Sequence, residues 1–105
     1  MTNRIFWEAI CNEPRLLATS KIEDIVRHYG YTTDFKQFSD ISLMLKVELE
    51  ESKVDGLYDA LAQYLDIESA TPLQSDSSAE REVFLNITFT NSTGDLRIET
   101  PAVPG

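Results

Sequence analysis

The sequence predicts a small α+β domain, and three observations predict it. Residues 41–50 place an apolar residue at every second position from Ile41 to Leu49, residues 53–65 carry an apolar stripe at helical spacing, and residues 83–89 return to the two-residue repeat. A chain of 105 residues has room for one domain and one modest core, because a domain of this size buries about two-thirds of the surface its unfolded form exposes. The 42% hydrophobic content lies well above the composition of disordered chains.

At the amino terminus, Ile5, Phe6, Ala9 and Ile10 recur at helical spacing after Thr2 and Asn3, and Pro14 interrupts the pattern. A short first helix is expected there. Ser20, Lys21, Ile22 and Glu23 have the form of a capping box, in which serine and glutamate satisfy free amides at a helix start. A second helix is expected from this point, with Ile22, Ile25, Val26 and Tyr29 as its apolar stripe and Gly30 as its stop. Residues 31–40 are mixed polar and aromatic, with Phe35 three before Phe38, and stay open as a loop with one helical turn.

In 41–50, Ile41, Leu43, Leu45, Val47 and Leu49 form one face and Ser42, Met44, Lys46, Glu48 and Glu50 the other, as in a strand buried on one side. Val54, Leu57, Tyr58, Leu61, Tyr64 and Leu65 then define a helix of three to four turns. Residues 66–82 lose all periodicity and read as a polar surface connection. Val83, Leu85, Ile87 and Phe89 alternate, the turn residues 91–95 follow, and Leu96, Ile98 and Thr100 complete an expected hairpin. The order is helix, helix, strand, helix, strand, strand, with a sheet of about three strands covered on one face. A parallel connection through the 53–65 helix would have to be right-handed. Residues 1–100 form the domain; Pro101 and Pro104 mark 101–105 as a flexible tail.

The formal charge of −9 is concentrated. Residues 1–47 hold six acidic and six basic side chains, whereas 48–82 hold ten acidic and two basic. Such a block repels nucleic acid and attracts basic partners. A single cysteine, Cys11, excludes an internal disulfide and a cysteine-rich zinc site, and points to a reducing, cytoplasmic setting. No apolar run approaches the roughly 20 residues of a membrane span, and no signal peptide is expected. The acceptor patterns at Asn86 and Asn91 therefore have no secretory route on which to act.

Catalytic groups are sparse. The one histidine, His28, lies between Arg27 and Tyr29 near a helix end, where an imidazole suits the dipole without any chemistry. A small buried thiol explains Cys11 better than a nucleophile does. Glycine-rich phosphate loops, zinc-binding helix motifs and calcium loops are lacking, so neither enzyme activity nor a cofactor or metal is expected. The paired carboxylates are the candidate binding groups: Glu48 and Glu50 share the outward face of the strand, and Asp55 and Asp59 share a helix face at the four-residue spacing. Solvated surface charge accounts for such pairs on its own. Docking of a cationic partner uses the same pairs to speed encounter and reject wrong partners. Phe6 and Trp7 cannot both face one core direction, so one is expected outside, and Trp7 is the candidate anchor for a partner or a homodimer.

The stretches from Ile5 to Leu16 and from Ile25 to Thr32, with an acidic residue before Pro14 and an apolar helix ending in Gly30 and Tyr31, resemble the helical domain named after nitrogen-fixation clusters, also used as a leader for ribosomally made peptides. The resemblance covers a quarter to a third of the chain. It implies a helical recognition element and assigns no residue a role.

The sequence thus points to a small non-catalytic cytoplasmic protein that binds another macromolecule, a protein with basic character, through the acidic 48–82 face. A sharper form of the same reading is a DNA mimic or an inhibitor or immunity protein against a basic partner. The rival is a ligand-binding domain or enzyme whose pocket forms only on folding.

Overall fold

The computed structural model describes residues 4–39 and 41–90. The chain runs through β1 (Arg4–Cys11), α1 (Arg15–Arg27), β2 (Gly30–Ser39), β3 (Ser42–Glu50), a 3₁₀ turn (Glu51–Lys53), α2 (Val54–Ala62), β4 (Asp66–Ile67) and β5 (Glu80–Phe89). The class is α+β, as expected. Among the described residues, however, the sheet has five strands, in the order β2-β3-β5-β1-β4, with β1 and β5 parallel and the other pairs antiparallel. A strand therefore opens the chain, where a helix was expected, and the expected three-strand sheet is too small.

Strand β1 follows a two-residue period and not a helical one. Trp7, Ala9 and Cys11 are buried while Phe6, Glu8 and Ile10 are exposed, which is a two-residue repeat. Ile5 and Ala9 share one face of β1 and Phe6 and Ile10 the other, so their helical spacing mixes both faces of a strand. Eight consecutive residues of β1 pair in parallel with β5, and that ladder, formed with residues more than seventy positions away, overrides the local pattern. Pro14 then begins a helix, its carbonyl accepting from the Ala18 amide at 3.0 Å. The helix α1 starts well before the expected box, leaving Ser20 exposed in its interior. Ala18, Ile22 and Val26 are its buried stripe. The helix ends at Arg27, and Gly30 opens β2. The segments that carry the leader-like resemblance thus fall on β1 and across the end of α1 into β2.

Residues 31–39, expected in a loop with one helical turn, belong to edge strand β2, which pairs with β3 across two irregularities at Thr32/Asp34 and Gln37/Ser39. Those bulges break the alternation from which a strand would have been recognised. Strand β3 behaves as expected, with Leu43, Leu45, Val47 and Leu49 buried. The α2 helix has nine residues, shorter than three turns, because the 3₁₀ turn takes its first part and Gln63 caps its end. The connection read as aperiodic, 66–82, includes β4 and the start of β5, and its middle is held by bonds from the Glu51 amide to the Ala79 carbonyl and from the Ser52 amide to the Ser77 carbonyl. Strand β5 is paired along both edges, by β3 and β1. The expected second hairpin strand at 96–100, like the 101–105 tail, lies outside the described residues. Because β3 and β5 run antiparallel, the handedness rule for parallel crossovers does not apply to α2.

Both helices pack on one face of the sheet. Their buried residues join Trp7, Ala9, Cys11, the inward residues of β3, and Val83, Leu85, Ile87 and Phe89 in one core. Among the described residues, the opposite face carries no helix. Its residues are Arg4, Phe6, Glu8 and Ile10 of β1, Glu80, Glu82, Phe84 and Asn86 of β5, and Met44, Lys46, Glu48 and Glu50 of β3.

Candidate functional site

The ladder that joins β3 to β5 decides which carboxylates meet. Glu48 lies directly opposite Glu82, and Glu50 directly opposite Glu80, on the uncovered face. Antiparallel partners stand about 4.5–5.5 Å apart at Cβ, close enough for like charges to oppose pairing by about 0.2–1 kcal/mol. Glu82 is compensated by Lys46 at 3.3 Å and Arg4 at 3.7 Å. Among the described residues, no cation lies within ion-pair distance of Glu48, Glu50 or Glu80. This end of the sheet therefore concentrates negative charge. Beside it, the rings of Phe6 and Phe84 stack with centroids 5.1 Å apart, and Arg4 and Lys46 each lie 5.9 Å from the Phe84 ring centre. Glu8 accepts from the Asn86 amide at 3.0 Å.

Asp55 and Asp59 stand on the other side of the sheet, with α2. The four expected carboxylates thus divide into two sites. Asp55 is taken up by the fold: its two oxygens accept from the Leu73 amide at 2.9 Å and the Gln74 amide at 2.8 Å. Gln74 has φ +50°, the left-handed region that side chains other than glycine adopt reluctantly, so the carboxylate holds a strained turn in place. Asp59 is exposed. Trp7, the candidate anchor, is 3% exposed and meets Tyr58 edge to face at 5.2 Å; the exposed member of that pair of rings is Phe6, at 62%.

A cleft of about 450 Å³ opens between the outer edge of β1, α2 and residues 70–74. Ile5, Trp7, Val54, Tyr58, Pro72 and Leu73 supply apolar wall, and Asp55 and Asp59 are its ionisable carboxylates. Its origin is visible in the hydrogen bonds. Along β1, β4 pairs with Ala9 and Ile10, and the Glu68 amide donates to the Glu8 carbonyl at 3.0 Å. The ladder stops there, because the Glu68 carbonyl accepts from the Tyr58 hydroxyl at 2.8 Å and the chain then bends to Asp55. Volume and lining are those of small-ligand or peptide sites. The sequence shows none of this, since the cleft joins residues 5–7, 54–59 and 70–74 through long-range pairing.

The remaining candidates lie outside the cleft. Cys11 is 1% exposed, and burial pushes its thiol up, a contact with the Glu13 carbonyl at 4.0 Å opposing this. Burial also raises the Tyr64 hydroxyl beside it. His28 is exposed, with Nδ1 2.9 Å from the Asp24 carbonyl, so that nitrogen carries the proton. Glu51 is held below the usual carboxylate range by a hydrogen bond from Ser75 and by Arg81, whose Nη1 lies 3.1 Å away. Among the described residues, no group of three or more histidine, cysteine, aspartate or glutamate side chains is placed to hold a metal ion, and no helix is long and apolar enough to cross a membrane.

No protein-family model, no curated protein and no solved structure matches this chain.

Proposed function

We propose that the protein is a non-catalytic, cytoplasmic binding module that docks a basic protein through the carboxylates at one end of its uncovered sheet face. The observation that carries this reading is the ladder that opposes Glu48 to Glu82 and Glu50 to Glu80. Each like-charge pair costs folding free energy, and three of the four carboxylates lack a cation among the described residues. A cationic partner lowers that cost on docking and gains encounter rate from the concentrated field. Of the carboxylates singled out in the sequence, Glu48 and Glu50 belong to this surface. Glu80 and Glu82 join them, while Asp55 serves the fold.

The test compares the wild-type protein with a Glu48→Gln/Glu50→Gln/Glu80→Gln variant, each immobilised and exposed to the same native lysate. Proteins that bind the wild type at low salt, leave at 0.5 M salt and fail to bind the variant support the reading. An identical set retained by both proteins refutes it. Inhibition or DNA mimicry is a narrower form of the same docking, and competition by duplex DNA for a salt-released partner distinguishes it.

A further inference from the structure

We infer that the cleft beside β1 is a strand-addition site, which takes an extended peptide carrying basic side chains alongside residues 4–7. The inference rests on the reading above for the basic character of the partner, and on three separate features of the cleft for its shape.

The first feature is an unfinished ladder. The Glu8 carbonyl points away from β5, since it accepts from the Glu68 amide, and the backbone groups of a strand alternate in direction with a period of two. Phe6 therefore presents its N–H and C=O to the same outer edge. Among the described residues, β4 and its continuation reach only to Glu8, so these two groups of Phe6 have no strand beside them. An exposed edge of this kind is a template for an added strand.

The second feature is the cause of the opening. A continuation of β4 would bring Ala70 opposite Phe6, but the Tyr58 hydroxyl and the Asp55 carboxylate draw residues 68–74 towards α2. Pro72, at the turn, has no N–H to offer β1 in any case. The space beside Phe6 is thereby kept open as the cleft.

The third feature is the lining. In an antiparallel peptide continuing the direction of β4, the residue opposite Phe6 points to the uncovered face, towards the Phe6–Phe84 stack. Its two neighbours lie opposite Ile5 and Trp7 and point into the cleft. There the walls are apolar, and among the described residues the charged groups are Asp55 and Asp59, with no lysine or arginine in the lining. Lysine side chains fit both demands, with alkyl stems along the walls and ammonium groups at the carboxylates. A second copy of this chain is a poor occupant, because each copy carries −9.

The test uses the full-length, isotope-labelled protein and the capped pentapeptide Val-Lys-Val-Lys-Val, followed by amide chemical shifts. The expected result is saturable shifts at residues 5–7, 58–59, 70–71 and 73–74. Methylating the central valine nitrogen of the peptide should weaken binding at least tenfold, because it removes the hydrogen bond to the Phe6 carbonyl while leaving the protein untouched. Asp59→Asn should weaken it several-fold. Equal binding of the methylated peptide overturns strand addition, as does an equal response to N-acetyl-lysine amide, which would make the cleft a pocket for a single amine. Shifts confined to Glu48, Glu50 and Glu80 overturn this inference and leave the acidic docking surface standing. Loss of salt-sensitive partners in the Gln variant with unchanged peptide shifts supports both. Retention of all partners by that variant with unchanged peptide shifts refutes the docking surface alone. No shifts at millimolar peptide overturn the cleft outright.

Discussion

Removing the Asp55 carboxylate tests how the cleft is held open. Asp55→Ala deletes the acceptor for two backbone amides, those of Leu73 and Gln74. Bonds to a charged acceptor are worth about 1.5–3 kcal/mol each when buried. Here both sites are solvent-exposed, so the freed amides rehydrate, and the helix-cap range of about 0.5–2 kcal/mol is the better guide for the pair. Two further effects nearly cancel: Asp55 loses its favourable place in the first turn of α2, worth about 0.3–1 kcal/mol, while alanine gains a similar amount in helix propensity. Release of Gln74 from φ +50° recovers about 1 kcal/mol of strain. The net global change then lies between a gain of about 0.5 and a loss of about 1 kcal/mol, so Tm should fall by no more than about 4 °C for a domain of this size. Local effects should be larger, because the loop gives up its anchor while the core remains. Hydrogen exchange is the sensitive assay: the Leu73 and Gln74 amides should lose about tenfold in protection while those of Leu45 and Leu85 follow only the global change. Asp55→Asn, which keeps one oxygen, should fall between. Unchanged exchange at Leu73 and Gln74 would refute the clamp, and a Tm loss beyond about 10 °C would mean that the carboxylate supports the core itself.

Three other outcomes are expected. Gly30→Ala should cost about 2–3 kcal/mol in chemical denaturation, since a Cβ there would lie 2.2 Å from the Glu48 carbonyl oxygen and 2.6 Å from the Leu49 Cβ; a neutral substitution would show that β2 can shift away from β3 without loss. Glu51 has a folded pKa lowered chiefly by the Ser75 hydrogen bond and then by Arg81, so its contribution is present above the unfolded carboxylate range and is lost as pH falls through the lower folded value. The stability gap between wild type and Glu51→Gln should accordingly be constant near neutrality and close below about pH 4, and a gap that persists at pH 2 contradicts this. Native Cys11 should resist a thiol-specific disulfide reagent and react at once in guanidinium, because burial keeps its thiol protonated and covered; fast labelling of the native protein would show that the β1 end of the core opens.

Much of the fold was legible where one residue's environment repeats locally. The alternation in β3 and β5 appears in the sequence because each strand has one face in the core and one in water, and the α2 stripe appears because one side of that helix is buried. The β1 segment is ambiguous in sequence because eight residues of short apolar pattern satisfy either period, and its pairing partner lies at 82–89. Strand β2 was hidden by two bulges and by an edge position that leaves nearly all of it exposed. The candidate sites divide in the same way.

The sequence by itself determined the class, the single small core, the acidity of 48–82 and the scarcity of catalytic groups, because composition and local period are properties of neighbouring residues. Only the tertiary structure decided that Glu48 and Glu50 face Glu82 and Glu80, that Trp7 is interior while Phe6 is exposed, and that Asp55 braces a loop over an apolar cleft. These depend on strand order and register, and a shift of one residue in register would exchange every inward side chain for an outward one.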